Sequence, residues 1–246
     1  MLRCPLNVPA RPTALKRLLH LASFSLSSSV AVLAQWRWKP ERVVRVVPTL
    51  FCAPQALLLA KLSGAKSVMH VQDYEVDALF GLSIAQGGLL KRFAYAMERA
   101  LLRGFDRVST ISSGMLQRAR PKGVAEDKLC FFPNGSETAR FRDVARSPVL
   151  LRALGVDPDK RVLLYSGNIL AAGGNAVITA DADTTLGVLC TEHPGIALRA
   201  EPESVSALIE GIERCLALPQ PNAVATAYAG EFLDKDRILE RFLAEL

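Results

Sequence analysis

After Pro40 the chain alternates between two spacings of apolar residues. Arg42–Val47 (RVVRVV) is a short β-branched run and Lys66–Asp73 (KSVMHVQD) is an apolar run ending in polar residues; both read as strands. Ala53–Ala65 between them has helical composition and stops at Gly64. Gly88–Phe105 spaces its apolar residues three and four apart and ends at Gly104, which predicts a helix. DRVSTIS then predicts a strand, SGMLQRARPKG a short capped helix, and KLCFFPNG a strand running into a turn. From Ser147 and Pro148 the rhythm restarts with a helix that Gly155 ends. Three more strand-like runs follow (RVLLYSG, NAVITAD, GIALRAE), then helices from EPESVSALIEGIERCLAL and DKDRILERFLAEL. Strands alternating with helices imply an α/β fold of parallel sheets with helices on both faces. The restart near Asp143–Pro148 divides it into lobes 1–146 and 147–246.

Ligands of such sheets gather at the carboxyl ends of the strands. The polar residues there are Gln72 with Asp73, Ser112 with Ser113, and Asn134 with Gly135, and the expectation is that they line one crevice. A serine before GML is a helix cap. Asp73 is harder to read that way, because YEVDALFG follows it without an immediate helical pattern.

One junction breaks the rhythm. Between the strands of RVLLYSG and NAVITAD only Gly167–Asn175 remain, and NILAAGG reads like the end of a helix without its beginning. A right-handed parallel crossover with its helix needs at least about 10–12 residues. One helical turn here rises about 6 Å against a strand of roughly 17 Å. The second lobe should therefore have an incomplete, under-covered sheet.

Upstream of Pro40 lies a different pattern. Leu18–Ala34 is apolar but contains His20 and five serines, and it is shorter than the roughly 20 apolar residues of a spanning helix. Val32 and Ala34 fit a cleavage pattern, yet the preceding region is long and holds Pro5, Pro9 and Pro12, unlike a signal peptide. The remaining reading is an amphipathic or core-covering helix next to an interfacial cluster. Lys16 and Arg17 precede it, and Trp36, Arg37, Trp38 and Lys39 follow, the mix found where a helix rests on headgroups.

Charge reinforces this. The net charge is +6, but residues 1–50 carry eight Lys/Arg and one acid, Glu41, whereas 201–246 carry four basic and nine acidic residues. The first part is expected to face something anionic, phospholipid headgroups or phosphorylated ligands. No nucleic-acid-binding motif appears, so nucleic acid is not an expected partner. Five scattered cysteines without a C-x-x-C, and three lone histidines, give neither a zinc signature nor a disulfide framework, and point to a reducing compartment.

Several stretches then resemble one family in order. FFPNGSETARF (Phe131–Phe141) is similar to the PNG-x-[DE]-x-x-x-F stretch of family 4 glycosyltransferases of the GT-B fold. RVLLYSGN resembles the first strand of their C-terminal domain, NILAAGGNAVITAD the segment after their nucleotide-sugar helix, and PESVSALIEGI the helix that follows. RPTALKRLLHLASFSLSS and HVQDYEVDALFG look like members serving colanic-acid-type exopolysaccharide assembly.

The resemblance implies two Rossmann-type lobes, both incomplete: the N-terminal one lacks the family's first strand and the C-terminal one about a hundred residues that meet at Asn168. It further implies retaining transfer from a UDP- or GDP-sugar to a lipid-linked or saccharide acceptor, with no bound cofactor or metal. The place is the cytoplasm, at the inner face of the cytoplasmic membrane. His70 and Asp73 are the implied catalytic pair, and Gly167, Asn168 and Asn134 the donor-binding residues. Between Gly167 and Asp181 there is no Arg or Lys to neutralise a diphosphate, so impaired catalysis, or a non-catalytic membrane-associated module, is the alternative.

Overall fold

The computed structural model describes residues 2–9, 14–47, 49–81, 88–141, 147–153, 155–157, 159 and 174–246. They form two compact units, residues 1–133 with 245–246, and residues 134–244. The junction expected at 146/147 adjoins residues 142–146, outside the described ones; the compact units divide at Pro133/Asn134.

The first unit opens with helix α1 (Ala14–Leu33), where Ser23, Ser27, Ser28 and Ser29 return their hydroxyls to carbonyls of the preceding turn, Ser29 to Ser25 at 2.6 Å, while Ser25 donates to the Phe51 carbonyl. A short 3-10 turn, Ala34–Trp38, ends at Lys39 in the left-handed region (φ 50°). Strand β1 (Arg42–Val47) leads through helix α2 (Ala53–Ser63) to strand β2 (Lys66–Val71). Gly64, at φ 72°, stops α2 because the chain must turn left-handed there. Helices α3 (Glu75–Gly81) and α4 (Gly88–Gly104) lead to strand β3 (Arg107–Thr110), and helix α5 (Ser113–Ala119) to strand β4 (Leu129–Phe131). No immediate helix was expected after Asp73, yet α3 starts two residues on.

All four strands are parallel in the order β1-β2-β3-β4. Three consecutive crossovers in one direction place α2, α4 and α5 on the same sheet face, because such crossovers are right-handed. The opposite face is covered as well: Val68, His70, Ser109 and Cys130 on it are buried. The core lies under that layer: Met69, Val71 and Val108 from the sheet meet Ala53, Ala56, Leu102, Phe105 and Ala119. β1 is an edge of the described sheet, with Val44 48% and Val46 45% exposed on the opposite face.

The second unit contains helix α6 (Pro148–Ala153), strand β5 (Val177–Thr179), helix α7 (Thr185–Glu192), strand β6 (Leu198–Ala200), and helices α8 (Val205–Ala217), α9 (Ala223–Tyr228) and α10 (Lys235–Glu245). Its described sheet is only the parallel pair β5–β6, with α7 as the crossover. Asn175 ties the start of β5 to the end of α8, its Nδ2 donating to the carbonyls of Cys215, Leu218 and Pro219 at 3.2–3.3 Å. A ring cluster of His193, Tyr228 and Phe232 closes the other end. The strand expected in RVLLYSG lies outside the described residues.

A two-stranded sheet opens more easily than a four-stranded one. Backbone amides of Ile178 and Ala180 should exchange with deuterium at least about tenfold faster than those of Met69 and Val71. Equal protection by hydrogen-exchange mass spectrometry would show that β5–β6 is covered as well as β2–β3.

Candidate functional site

The carboxyl end of β2 carries both expected catalytic residues. The register pairs His70 with Ser109 and Ser109 with Cys130, so these three share the face away from the crossover helices. His70 is only 4% exposed. Its Nδ1 lies 3.0 Å from Ser109 Oγ, and its Nε2 lies 3.3 Å from the Gln72 side-chain nitrogen. An amide nitrogen can only donate, so Nε2 accepts, Nδ1 carries the proton and donates to Ser109. The Phe132 ring stands edge-on to the imidazole at 5.0 Å. Both ring nitrogens are thus engaged within the protein, and burial holds the imidazole below its ordinary pKa.

Asp73, two residues past the strand, is exposed to solvent. The chain behind it is anchored: Tyr74 is buried, and its hydroxyl donates to the Met115 carbonyl at 2.9 Å. Ser112 caps α5, accepting from the Met115 N–H at 3.2 Å, so the expected cap reading of the serines is what the geometry gives. Glu75 accepts from the Leu50 N–H at 2.7 Å, which ties the start of α3 to the segment after β1.

Sequence reasoning missed the group that fixes this corner. Lys122, just beyond α5, is buried and donates to Glu98 of α4 at 2.6 Å and to Asp77 of α3 at 2.8 Å. Its ammonium also lies 4.8 Å from the Tyr74 ring centre and 5.1 Å from that of Tyr95. Burial raises the pKa of Glu98, and the Lys122 ammonium opposes that rise. The partners lie 45 and 24 residues away in sequence, so no local spacing announces them.

In the second unit Asn134 opens a turn pinned to the start of α10. The Ser136 N–H donates to the Leu233 carbonyl at 2.7 Å, the Lys235 N–H returns to Ser136 at 3.0 Å, and Thr138 Oγ1 donates to Asp234 at 2.6 Å. A Cβ on Gly135 would stand 2.7 Å from the Lys235 Cα, so glycine is required by this close approach. The crevice expected to join this turn to Asp73 and Ser112 would span both units: Asp73 and Ser112 belong to the first and Asn134 to the second. Gly167 and Asn168 lie outside the described residues.

The carboxyl ends of β5 and β6 are acidic. Asp181, Asp183, Glu201 and Glu203 are exposed there. Arg199 Nη1 is already bound to the Ala180 carbonyl at 3.0 Å and to Glu201 at 3.2 Å. Among the described residues no three His, Cys, Asp or Glu side chains gather as a metal site requires.

Of the expected membrane-facing residues, Lys16, Arg37 and Lys39 are exposed, Trp36 and Trp38 protrude, and the Arg37 guanidinium lies 5.6 Å from the Trp36 ring centre. The Arg17 side chain lies outside the described residues. No described helix is long and apolar enough to cross a membrane.

Residues 1–135, all four strands of the first sheet and the PNG turn included, match the glycosyl transferase 4-like domain. The chain belongs to that glycosyltransferase family. It is also 40% identical over 337 aligned positions to a protein of Escherichia coli (strain K12) assigned by name to colanic acid biosynthesis as the glycosyl transferase WcaI. That alignment covers 99% of this chain and 83% of the relative. Its 337 positions against 246 residues leave at least 91 that face nothing in this glycosyltransferase chain. An alignment begins and ends on paired residues, so those positions are internal.

Two outcomes follow from the buried groups. Because the folded chain disfavours imidazolium more than the unfolded chain does, His70 leaves stability intact above about pH 6.5 and costs stability as pH falls through its lowered folded-state pKa. The thermal midpoint should therefore drop between pH 7 and pH 5, and His70→Asn should flatten that slope; an unchanged slope would place the loss on other groups. Lys122→Met should destabilise by about 3–5 kcal/mol in urea unfolding, since it strands two carboxylates, and adding Glu98→Gln should recover part of it.

Proposed function

We propose that this glycosyltransferase chain serves exopolysaccharide assembly, moving a sugar with retention from a UDP- or GDP-sugar to a lipid-linked or saccharide acceptor, at the inner face of the cytoplasmic membrane. The observation that carries the reading is the family match over residues 1–135, the stretch that presents Asp73 to solvent beside an oriented His70. Asp73 is the group that meets the acceptor. His70, with both nitrogens engaged and its proton on Nδ1, positions the Gln72–Asp73 segment rather than exchanging protons with substrate. Asn134, Gly167 and Asn168 take the donor side in this reading, with a backbone N–H and amide contribution but no cation.

A second reading, a non-catalytic membrane-associated module, is favoured by one specific observation. A leaving nucleoside diphosphate must be neutralised, and without metal this falls on Arg, Lys and helix-end amides. Among the described residues, the strand ends of the second unit present four carboxylates and one arginine that is already paired. Removing one such anion-stabilising donor typically costs about 10²–10³ in rate.

Transfer and binding separate the two. Nucleoside diphosphate affinity is expected to be no tighter than millimolar by calorimetry with UDP and GDP. Transfer, followed as diphosphate release from UDP- and GDP-sugars in the presence of a lipid-linked saccharide fraction, should fall about 10²–10⁴-fold in Asp73→Asn. Wild-type protein that shows neither heat at millimolar nucleotide nor release would establish the non-catalytic module. A micromolar dissociation constant would sink it.

A further inference from the structure

Three helices of the first unit form one layer: α2 packs on α1 on one side and on α4 on the other. Together they contain forty-eight residues. Acidic residues make up 24 of the 246 in the chain, so about five would be expected there. The layer has one, Glu98, and it is buried against Lys122. Lys16, Lys61, Lys91, Arg92, Arg99 and Arg103 are all exposed. No carboxylate of these helices faces water.

The apolar exposure is just as uneven, and it peaks on α4. In its first two turns Leu89 is 83% exposed, Leu90 56% and Phe93 67%, with Lys91 and Arg92 between them. The other large apolar side chains of α4, Tyr95, Met97, Leu101 and Leu102, pack in or against the core. Three large apolar side chains interleaved with two cations are thus left exposed among the described residues. They match an interface that is apolar a few ångströms down and anionic at its surface.

We propose that the α1–α2–α4 layer is a lipid-docking surface for an anionic bilayer, with Leu89, Leu90 and Phe93 as the inserting group. This deepens the membrane part of the proposed function and names an element separate from the Trp36–Arg42 segment. Nucleic acid would use the cations but not the leucines. Cations spread over three helices fit a uniformly charged partner better than a single acidic groove.

Flotation with vesicles of phosphatidylethanolamine and phosphatidylglycerol, 70:30, tests it. Wild type should float, and Leu89→Ser/Phe93→Ser should lower the bound fraction at least about tenfold in partition coefficient, because the replaced side chains face solvent and the fold is retained (circular dichroism checks this). Lys91→Glu/Arg92→Glu should weaken binding comparably at low salt and less at high salt. A parallel variant, Arg37→Glu/Lys39→Glu/Arg42→Glu, probes the other segment. If it alone abolishes flotation while the α4 variants bind normally, the assignment to α4 is wrong but membrane association stands. If wild type does not float, both fall. Sedimentation velocity covers the remaining occupant: a wild-type dimer that Leu89→Ser/Phe93→Ser converts to monomer, without lipid binding, would make the surface a contact between copies and overturn the proposal.

Discussion

A parallel strand pair cannot be closed by a tight turn; the chain must cross from one end of the sheet to the other, and the crossing segment must bury a face of what it crosses. This constraint organises both units. In the first, three crossovers supply α2, α4 and α5, and the core of Met69, Val71 and Val108 exists because those helices lie over it. In the second, the described sheet has one crossover, α7, and accordingly one strand pair. The aligned relative is longer by at least 91 internal positions. A shortening on that scale removes whole strand–helix units from a fold of this kind, since each takes about 30 residues or more.

The layer of crossover helices is also where the charge of the first unit is resolved. Glu98 is an acid on a helix whose solvent side is basic, and it is tolerated because it points inward to Lys122. Lys122 in turn reaches α3 through Asp77, so the same buried cation that removes the layer's only acid from the surface also holds the helix that follows Asp73. A buried ion pair of this kind is weak evidence for stability and better evidence for registry. Here it fixes α3, α4 and the end of α5 against one another. The exposed basic face and the geometry behind Asp73 therefore rest on one set of contacts.

What was legible in the sequence follows the range of the forces involved. β1, β2, α2 and α4 follow from period and from Gly64 and Gly104, because those signals are local. Ser112 as a cap is local too. α3 and α7 were not legible. Each has at most eight residues, too few for a helical period to assert itself: the start of α3 is held by the bond from the Leu50 N–H to Glu75, and α7 by its Thr184 cap, which accepts from the Gly187 N–H. Whether RVVRVV is central or at an edge depends on strand order, which its own residues do not encode. Likewise His70 could be picked as polar at a strand end, but its burial and its bonds to Ser109 and Gln72 come from a partner 39 residues away and from the sheet around it.

The distribution of charge between the units carries the argument furthest. Basic side chains accumulate on the helix layer of the first unit, and carboxylates at the strand ends of the second. In a transferase that works without a metal, the donor's diphosphate has to meet cations or oriented N–H groups at the strand ends of its own lobe, since only there does the crossover helix present its amino terminus. α7, the described crossover helix of the second unit, which the proposed function puts on the donor side, begins behind Thr184, whose own hydroxyl already accepts from the Gly187 N–H at 3.1 Å, and Asp181 and Asp183 flank it. An anion approaching this helix start therefore meets like charge and a donor already taken. Under the proposed function, a lipid-facing layer needs only the helices of the first unit, whereas a diphosphate cradle needs every strand end that lines it.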